Sequence, residues 1–175
     1  MDKHPHLSTL RLLFLGDVVG EPGRKAVASF IPQVREERGV NFVVVNGENS
    51  AGGRGITAKI AIGLLRAGAT VITTGDHIWD QREIVEFLPT EPRLLRPLNY
   101  PEGTPGNGSI VLETEKGPVA VMNAQGRTFM GNPLENPLIS IDNELNKIRE
   151  DWDVKMVFLD FHAEATSEKI ATGRY

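Results

Sequence analysis

The side chains in this chain best suited to chemistry are Asp17, Glu48, Asn49, Asp76, His77 and His162, each standing where a short apolar run gives way to a polar segment. Those segments read Leu15-Gly16-Asp17, Asn46-Gly47-Glu48-Asn49, Thr74-Gly75-Asp76-His77 and Asp160-Phe161-His162. Carboxylate, amide and imidazole make a hard, oxygen-rich donor set that suits Mn, Fe or Zn better than Cu, and a carboxylate such as Glu48 can bridge two cations. The chemistry such a set supports is hydrolysis of a phosphoester. Paired cations activate water and stabilise the charge that builds on phosphorus, while an imidazole, here His77, protonates the leaving oxygen.

Each residue also has a structural reading. Asp17 in Gly-Asp-Val-Val-Gly could serve as a turn residue accepting backbone hydrogen bonds. A histidine beside an apolar strand, as His162 is, is commonly a satisfied structural side chain. Glu48 is harder to explain that way, because it follows VVVNG and precedes Asn49 and the small segment Ser50-Ala51-Gly52-Gly53. Asp76 and His77 offer a carboxylate and an adjacent imidazole pointing in different directions, one for a cation and one for a proton. Arg24 and Arg54 are either phosphate contacts or solvated arginines of glycine-rich turns, and Glu168 and Lys169 read as an exposed helix face. His4 and His6 fall in a polar leader, residues 1–9, that reads as a frayed tail rather than a metal site.

The elements that must position these groups alternate. An apolar run, a loop bearing the polar residues and a segment of helical period recur, the signature of an α/β fold. Strands are predicted at Leu10–Leu15, Asn41–Val45, Thr70–Thr74 and Lys155–Asp160. The second of these, with its unalternating FVVV, reads as a central strand covered on both faces. A helix opened by Pro22 carries Val27, Phe30, Ile31 and Val34, is distorted at Pro32 and stops at Gly39. Thr57 caps a second helix ending near Gly68, and a short helix runs from Asp80 through Leu88. Ser109–Glu113 and Val119–Asn123 flank Lys116-Gly117-Pro118 as an antiparallel hairpin, and helices follow at residues 138–150 and from Ala163. In open α/β sheets ligands gather at the carboxyl ends of strands, where all four polar segments fall.

Composition narrows the function. The 175 residues are 40% hydrophobic and 24% charged, enough for one sizeable core, and residues 10–175 read as a single domain. A formal charge of −4 argues against tight nonspecific binding to nucleic acid. With no cysteine, thiolate metal sites and cysteine nucleophiles are excluded. No apolar run is long enough for a membrane span and the amino end is no secretory signal, so a cytoplasmic location is expected. P-loop, dinucleotide-binding and Gly-x-Ser-x-Gly motifs do not occur.

The segments LLFLGDVVGEPGRKAV, VNGENSAGGRGIT, VITTGDHIWDQREI, RLLRPLNYPEGTPGNG and FLDFHAEATSEKIA together resemble the YmdB-like family of bacterial metallophosphoesterases, within the calcineurin-like superfamily. The resemblance runs in order from about Leu12 to the carboxyl end. It implies a layered α/β/β/α sandwich and a dinuclear phosphodiesterase acting on small phosphodiesters or cyclic nucleotides, including 2′,3′-cyclic ones. By position, Asp17, Glu48 and Asn49 match ligands of one divalent ion, and Glu48, Asp76 and His162 those of a second, with His77 as proton donor. Fe, Mn and Zn are all expected metals. Two departures stand out. The family motif usually reads Gly-Asn-His where this chain has Gly75-Asp76-His77. Family members also continue past the point matching Tyr175 with a strand and a Gly-Thr-His-Thr-His motif whose two histidines complete the two metal sites, so the resemblance implies a sandwich lacking its carboxyl-terminal part, weakened metal binding and a short form that need not be active. Two other readings stay open here: a noncatalytic nucleotide-binding remnant, and an interaction protein that pairs, even as a homo-oligomer, through an uncovered sheet edge.

Overall fold

The central layers are two three-stranded sheets, and the described residues of this computed structural model are 9–131 and 134–175. His4 and His6 lie outside them. The first sheet has the order β1-β2-β3, with β1 Leu12–Leu15, β2 Phe42–Asn46 and β3 Val71–Thr73 all parallel. The second has the order β4-β5-β6: β4 Ser109–Leu112 is antiparallel to β5 Val119–Gln125, and β6 Met156–His162 is parallel to β5.

Side-chain alternation explains how the layers stack. From β2, Phe42 and Val44 point between the sheets and meet Val119 and Val121 of β5 and Phe158 of β6. Val43 and Val45 point outward onto Val27 and Ile31 of helix α1 (Gly20–Arg38) and Leu64 of helix α2 (Ala58–Arg66). On the far side, Ala120 and Met122 pack with Ile141, Leu145 and Ile148 of helix α4 (Pro137–Asp151). The layering is therefore α/β/β/α, and every residue of β2 is buried, as its unalternating sequence requires. Burying each such side chain contributes roughly 1.5–3 kcal/mol.

Helix α1 runs through Pro32 as one element. The prolyl ring cannot donate to the carbonyl of Ala28, but both residues are exposed, so water can take that bond. Gly39 ends the helix in a left-handed conformation at φ 62°, its N–H donating to Arg35. At α2, the Thr57 hydroxyl accepts from the Ile60 amide at 3.2 Å, satisfying one of the helix's free donors. Thr57→Ala is expected to cost about 1 kcal/mol, read as a lower urea midpoint, with Thr57→Ser keeping most of the wild-type stability.

Several predicted boundaries move. The segment expected as one helix from Asp80 to Leu88 is non-helical at residues 80–83, a short helix α3 (Ile84–Phe87) and the start of a 3-10 turn (Leu88–Thr90), because Pro89 lacks the N–H needed to extend α3; a separate 3-10 turn at Asp76–Trp79 precedes it. Strand β6 runs two residues further than expected, since Gln125 of β5 pairs with His162. The last helix, α5, starts at Thr166 rather than Ala163. Among the described residues no helix is long and apolar enough to cross a membrane.

Candidate active site

The interior between the sheets changes character along the strands. At one end it is Phe42, Val44, Val71 and Val121; at the carboxyl ends of the parallel strands the same alternation delivers Asn46, Thr73, Asp160 and His162. Loops leaving those ends are stitched together by backbone bonds. Val18 donates to Asn46, Gly20 to Asn49, and Gly47 to Thr73, so the segments after β1, β2 and β3 form one connected rim. A cleft of about 460 Å³ opens there, and its wall includes all six sequence-predicted residues: Asp17, Glu48, Asn49, Asp76, His77 and His162.

Two hydrogen-bonded chains order the cleft. In the first, Asn49 Nδ2 donates to Asp17 Oδ1 at 2.8 Å, and Asn49 Oδ1 lies 2.8 Å from His77 Nδ1. A carboxylate accepts only, so Asp17 fixes which way the Asn49 amide faces, and the amide oxygen in turn requires the His77 proton on Nδ1. Asp17 adopts a left-handed backbone at φ 49°, which turns its side chain toward Asn49 directly after β1.

In the second, His162 bridges two carboxylates: Nδ1 is 2.8 Å from Glu48 Oε1 and Nε2 is 3.0 Å from Asp76 Oδ1. Burial, the largest single influence on His162, pushes its pKa down, but the bonds and charges of Glu48 and Asp76 outweigh it and the pKa is raised. The folded chain thus holds this proton more tightly than the unfolded one. The resulting stability is fully present below 6.5, the ordinary imidazole value, and is lost as pH rises through the raised folded value. Metal-free protein is therefore expected to melt at lower temperature as pH climbs from about 6.5 upward. His162→Gln should flatten that slope, and a wild-type melting temperature rising across the same window would contradict the assignment.

Glu48 is the pivot. It is 2% exposed, and its Oε2 is buried without a hydrogen-bond partner. Leaving such an atom unpaired costs about 1–3 kcal/mol, more for a charged group, and a bound cation removes that cost. One ligand atom each from Glu48, Asp76 and His77 lie within 4.8 Å of one another, a spacing that fits a divalent ion. Gly75 makes the approach possible, because a Cβ there would stand 2.2 Å from Glu48 Oε2 and 2.7 Å from His162 Cγ.

Not every expectation about the surroundings holds. Arg24 donates to the Ser50 carbonyl, Arg54 pairs with Asp80 at 3.0 Å, and neither lines the cleft. Glu168 does not lie idle on a helix face: its carboxylate accepts from the Arg127 and Thr128 amides at 2.9 and 3.1 Å, clasping the segment after β5. Lys169, on the first turn of α5, lines the cleft as its nearby cation. Sequence reading also passed over Asp160, whose position two residues before His162 put it on the same strand face. Asp160 is buried and accepts from Asn46 Nδ2 at 3.1 Å and from the Thr73 hydroxyl at 2.5 Å. Burial raises its pKa, with those two bonds working in the opposite direction.

Residues 13–175 match the protein-family model described as "YmdB-like protein". The chain is 45% identical over 166 residues to a 2′,3′-cyclic-nucleotide 2′-phosphodiesterase of Bacillus subtilis, covering 95% of this chain and 62% of that protein. Among solved structures it resembles a hypothetical protein from Thermus thermophilus, with TM-score 0.85, 38% identity and coverage of 95% of this chain and 63% of that one. It also resembles a novel phosphatase of Mycoplasma pneumoniae, with TM-score 0.84, 32% identity and coverage of 94% and 59%. The chain thus spans about three-fifths of the length of the curated relatives it matches.

Proposed function

The chain belongs to the YmdB-like protein family, and from that premise we propose that it is a metal-dependent phosphodiesterase acting through a dinuclear site on small phosphodiesters such as 2′,3′-cyclic nucleotides. The observation that carries this reading is the buried, unpartnered Glu48 Oε2 set among Asp76, His77 and His162. A buried carboxylate oxygen without a donor calls for a partner, and a bound cation supplies one. The Bacillus subtilis relative, named as a 2′,3′-cyclic-nucleotide 2′-phosphodiesterase, supports the substrate class.

Two divalent ions, drawn from iron, manganese and zinc, fit the donor set. Asp17, Glu48 and Asn49 would hold one, and Glu48, Asp76 and His162 the other, with Glu48 shared. When bound, such ions supply Lewis acidity and activate water as a nucleophile. The chain's own groups do the rest. Asn49 holds His77 by Nδ1, which leaves Nε2 free toward the cleft, and the ring in its doubly protonated, imidazolium form gives the Nε2 proton to the leaving oxygen and is left neutral with its proton on Nδ1. Asn49 Oδ1 has a second lone pair and can face a cation while keeping that bond. Lys169 places a positive charge on the wall where a phosphate would enter. With Asp76 in place of a neutral amide, the site carries an additional negative charge, which favours tight cation binding and lowers the cation's acidity.

The test is hydrolysis of a 2′,3′-cyclic nucleotide by chelator-stripped protein before and after adding back manganese, iron or zinc. Turnover restored by metal and absent in Glu48→Ala supports the reading. Saturable nucleotide binding with no product at any metal concentration would replace it with a noncatalytic binding role.

A further inference from the structure

The cleft lies across the seam of two sheets that share no strand: Asp17, Glu48 and Asp76 follow strands of the first, and His162 ends a strand of the second. Ligands on separate sheets keep a fixed geometry only if the seam is tied close by. An apolar seam would not do this, because packing without directional bonds tolerates small sliding.

We propose that Asp160 is a positioning residue that buckles the two sheets at their carboxyl ends and aims Glu48 and His162 at one point. From β6 its carboxylate reaches across the seam to Asn46 of β2 and Thr73 of β3, residues that are register partners in the first sheet. Both bonds end on the same oxygen, Oδ2. An acceptor at that place obliges Asn46 to present its amide nitrogen, which turns Asn46 Oδ1 toward the Glu48 backbone amide, 3.4 Å away. The Thr73 carbonyl meanwhile receives the Gly47 amide at 2.9 Å, so the chain on both sides of Gly47 is held by the two residues Asp160 grips. On its own strand, Asp160 precedes by two residues the histidine that bridges Glu48 and Asp76. A second cross-seam tie backs the first: Asn123, the β5 partner of Asp160, donates to the Thr74 carbonyl at 3.0 Å. Asp160 itself touches neither Glu48 nor His162 in the hydrogen-bond network; its effect passes through Asn46 and the strand.

The experiment compares wild type, Asp160→Asn, Asp160→Ala and the double variant Asn46→Ala/Asp160→Ala, each shown folded by its melting curve. Metal-free hydrogen exchange at the Glu48 amide reads positioning directly. In Asp160→Ala it is expected to quicken by about two- to tenfold, the worth of one neutral hydrogen bond, while the amides of α1 keep their rates. Asp160→Asn, which retains an acceptor oxygen, should stay near wild type. The double variant should be no worse than Asp160→Ala, because both act along one path. A second readout, manganese affinity by calorimetry, rests on the phosphodiesterase reading: Asp160→Ala is expected to weaken it by about 10- to 100-fold and Asp160→Asn by far less. Unchanged Glu48 exchange in folded Asp160→Ala, or uniform quickening across the chain, overturns the proposal. Wild type that takes up no manganese while showing the localised exchange effect would sink the metal reading and leave the positioning role standing.

Discussion

Gly75→Ala is expected to destroy the metal site while leaving most of the fold in place. The added Cβ would stand 2.2 Å from Glu48 Oε2 and 2.7 Å from both Glu48 Cδ and His162 Cγ, far inside van der Waals contact. Glu48 cannot yield cheaply, since its side chain is 3% exposed and its other oxygen is tied to His162. The backbone at Gly75 has negative φ, so no left-handed strain is involved and the clash is one of lost space. Overpacking of this kind costs about 1–3 kcal/mol, and displacing a shared ligand should lower divalent-metal affinity by about 100-fold or more. Calorimetric titration with manganese, beside a melting curve, separates the two effects. Wild-type metal affinity in folded Gly75→Ala would mean that Glu48 is not at the centre of the site.

His77→Ala should do the opposite, losing the chemistry while keeping the metals, because the ions are assigned to Asp17, Glu48, Asn49, Asp76 and His162 even though the His77 ring lies within 4.8 Å of Glu48 and Asp76. Its ring touches the site through Asn49 at 2.8 Å and faces Asp76 Oδ2 at 3.8 Å, whereas His162 is held independently by Glu48 and Asp76. A positioned general acid is worth about 10²- to 10⁴-fold, so kcat for a 2′,3′-cyclic nucleotide is expected to fall by that factor with KM and metal content little changed. A substrate whose leaving group needs no proton, such as a nitrophenyl diester, should lose much less. Equal losses on both substrates would assign His77 a structural or ligand role instead.

The contrast between these two variants bears on how the site is written into the sequence. The run FVVV, the Thr57 cap and the Gly39 stop are local signals, and the elements they announce are present. The polar residues at strand ends could be recognised for the same reason: a Glu after VVVNG or a Gly-Asp-His after a buried strand is poor material for a simple turn. What could not be read locally depends on which strand ends meet. The partners of Asp160 are 114 and 87 residues away, and only closure of the second sheet onto the first brings them together. The extension of β6 to His162 follows from its pairing with Gln125, a fact about a neighbour and not about its own sequence. Lys169 is exposed, as its helix-face reading expects, and borders the cleft, while Glu168 is half-buried because it reaches the loop after β5, a contact set by the neighbouring sheet and not by its own helix.

Asp76, a carboxylate where the family resemblance implies a neutral amide, has its own consequence. His162 is drawn into a bridge between two carboxylates, and that proton competes with any cation bound there. Metal uptake should accordingly release a proton and strengthen as pH rises through the raised His162 value.

The most direct test of the central claim is metal content per chain, measured by elemental analysis on folded protein purified from manganese- and iron-supplemented medium, wild type beside Glu48→Ala. The account predicts metal bound by wild type, up to two ions per chain, and loss of it in the variant, because one carboxylate serves both positions. Folded wild-type protein carrying no metal, or Glu48→Ala carrying as much as wild type, would contradict it.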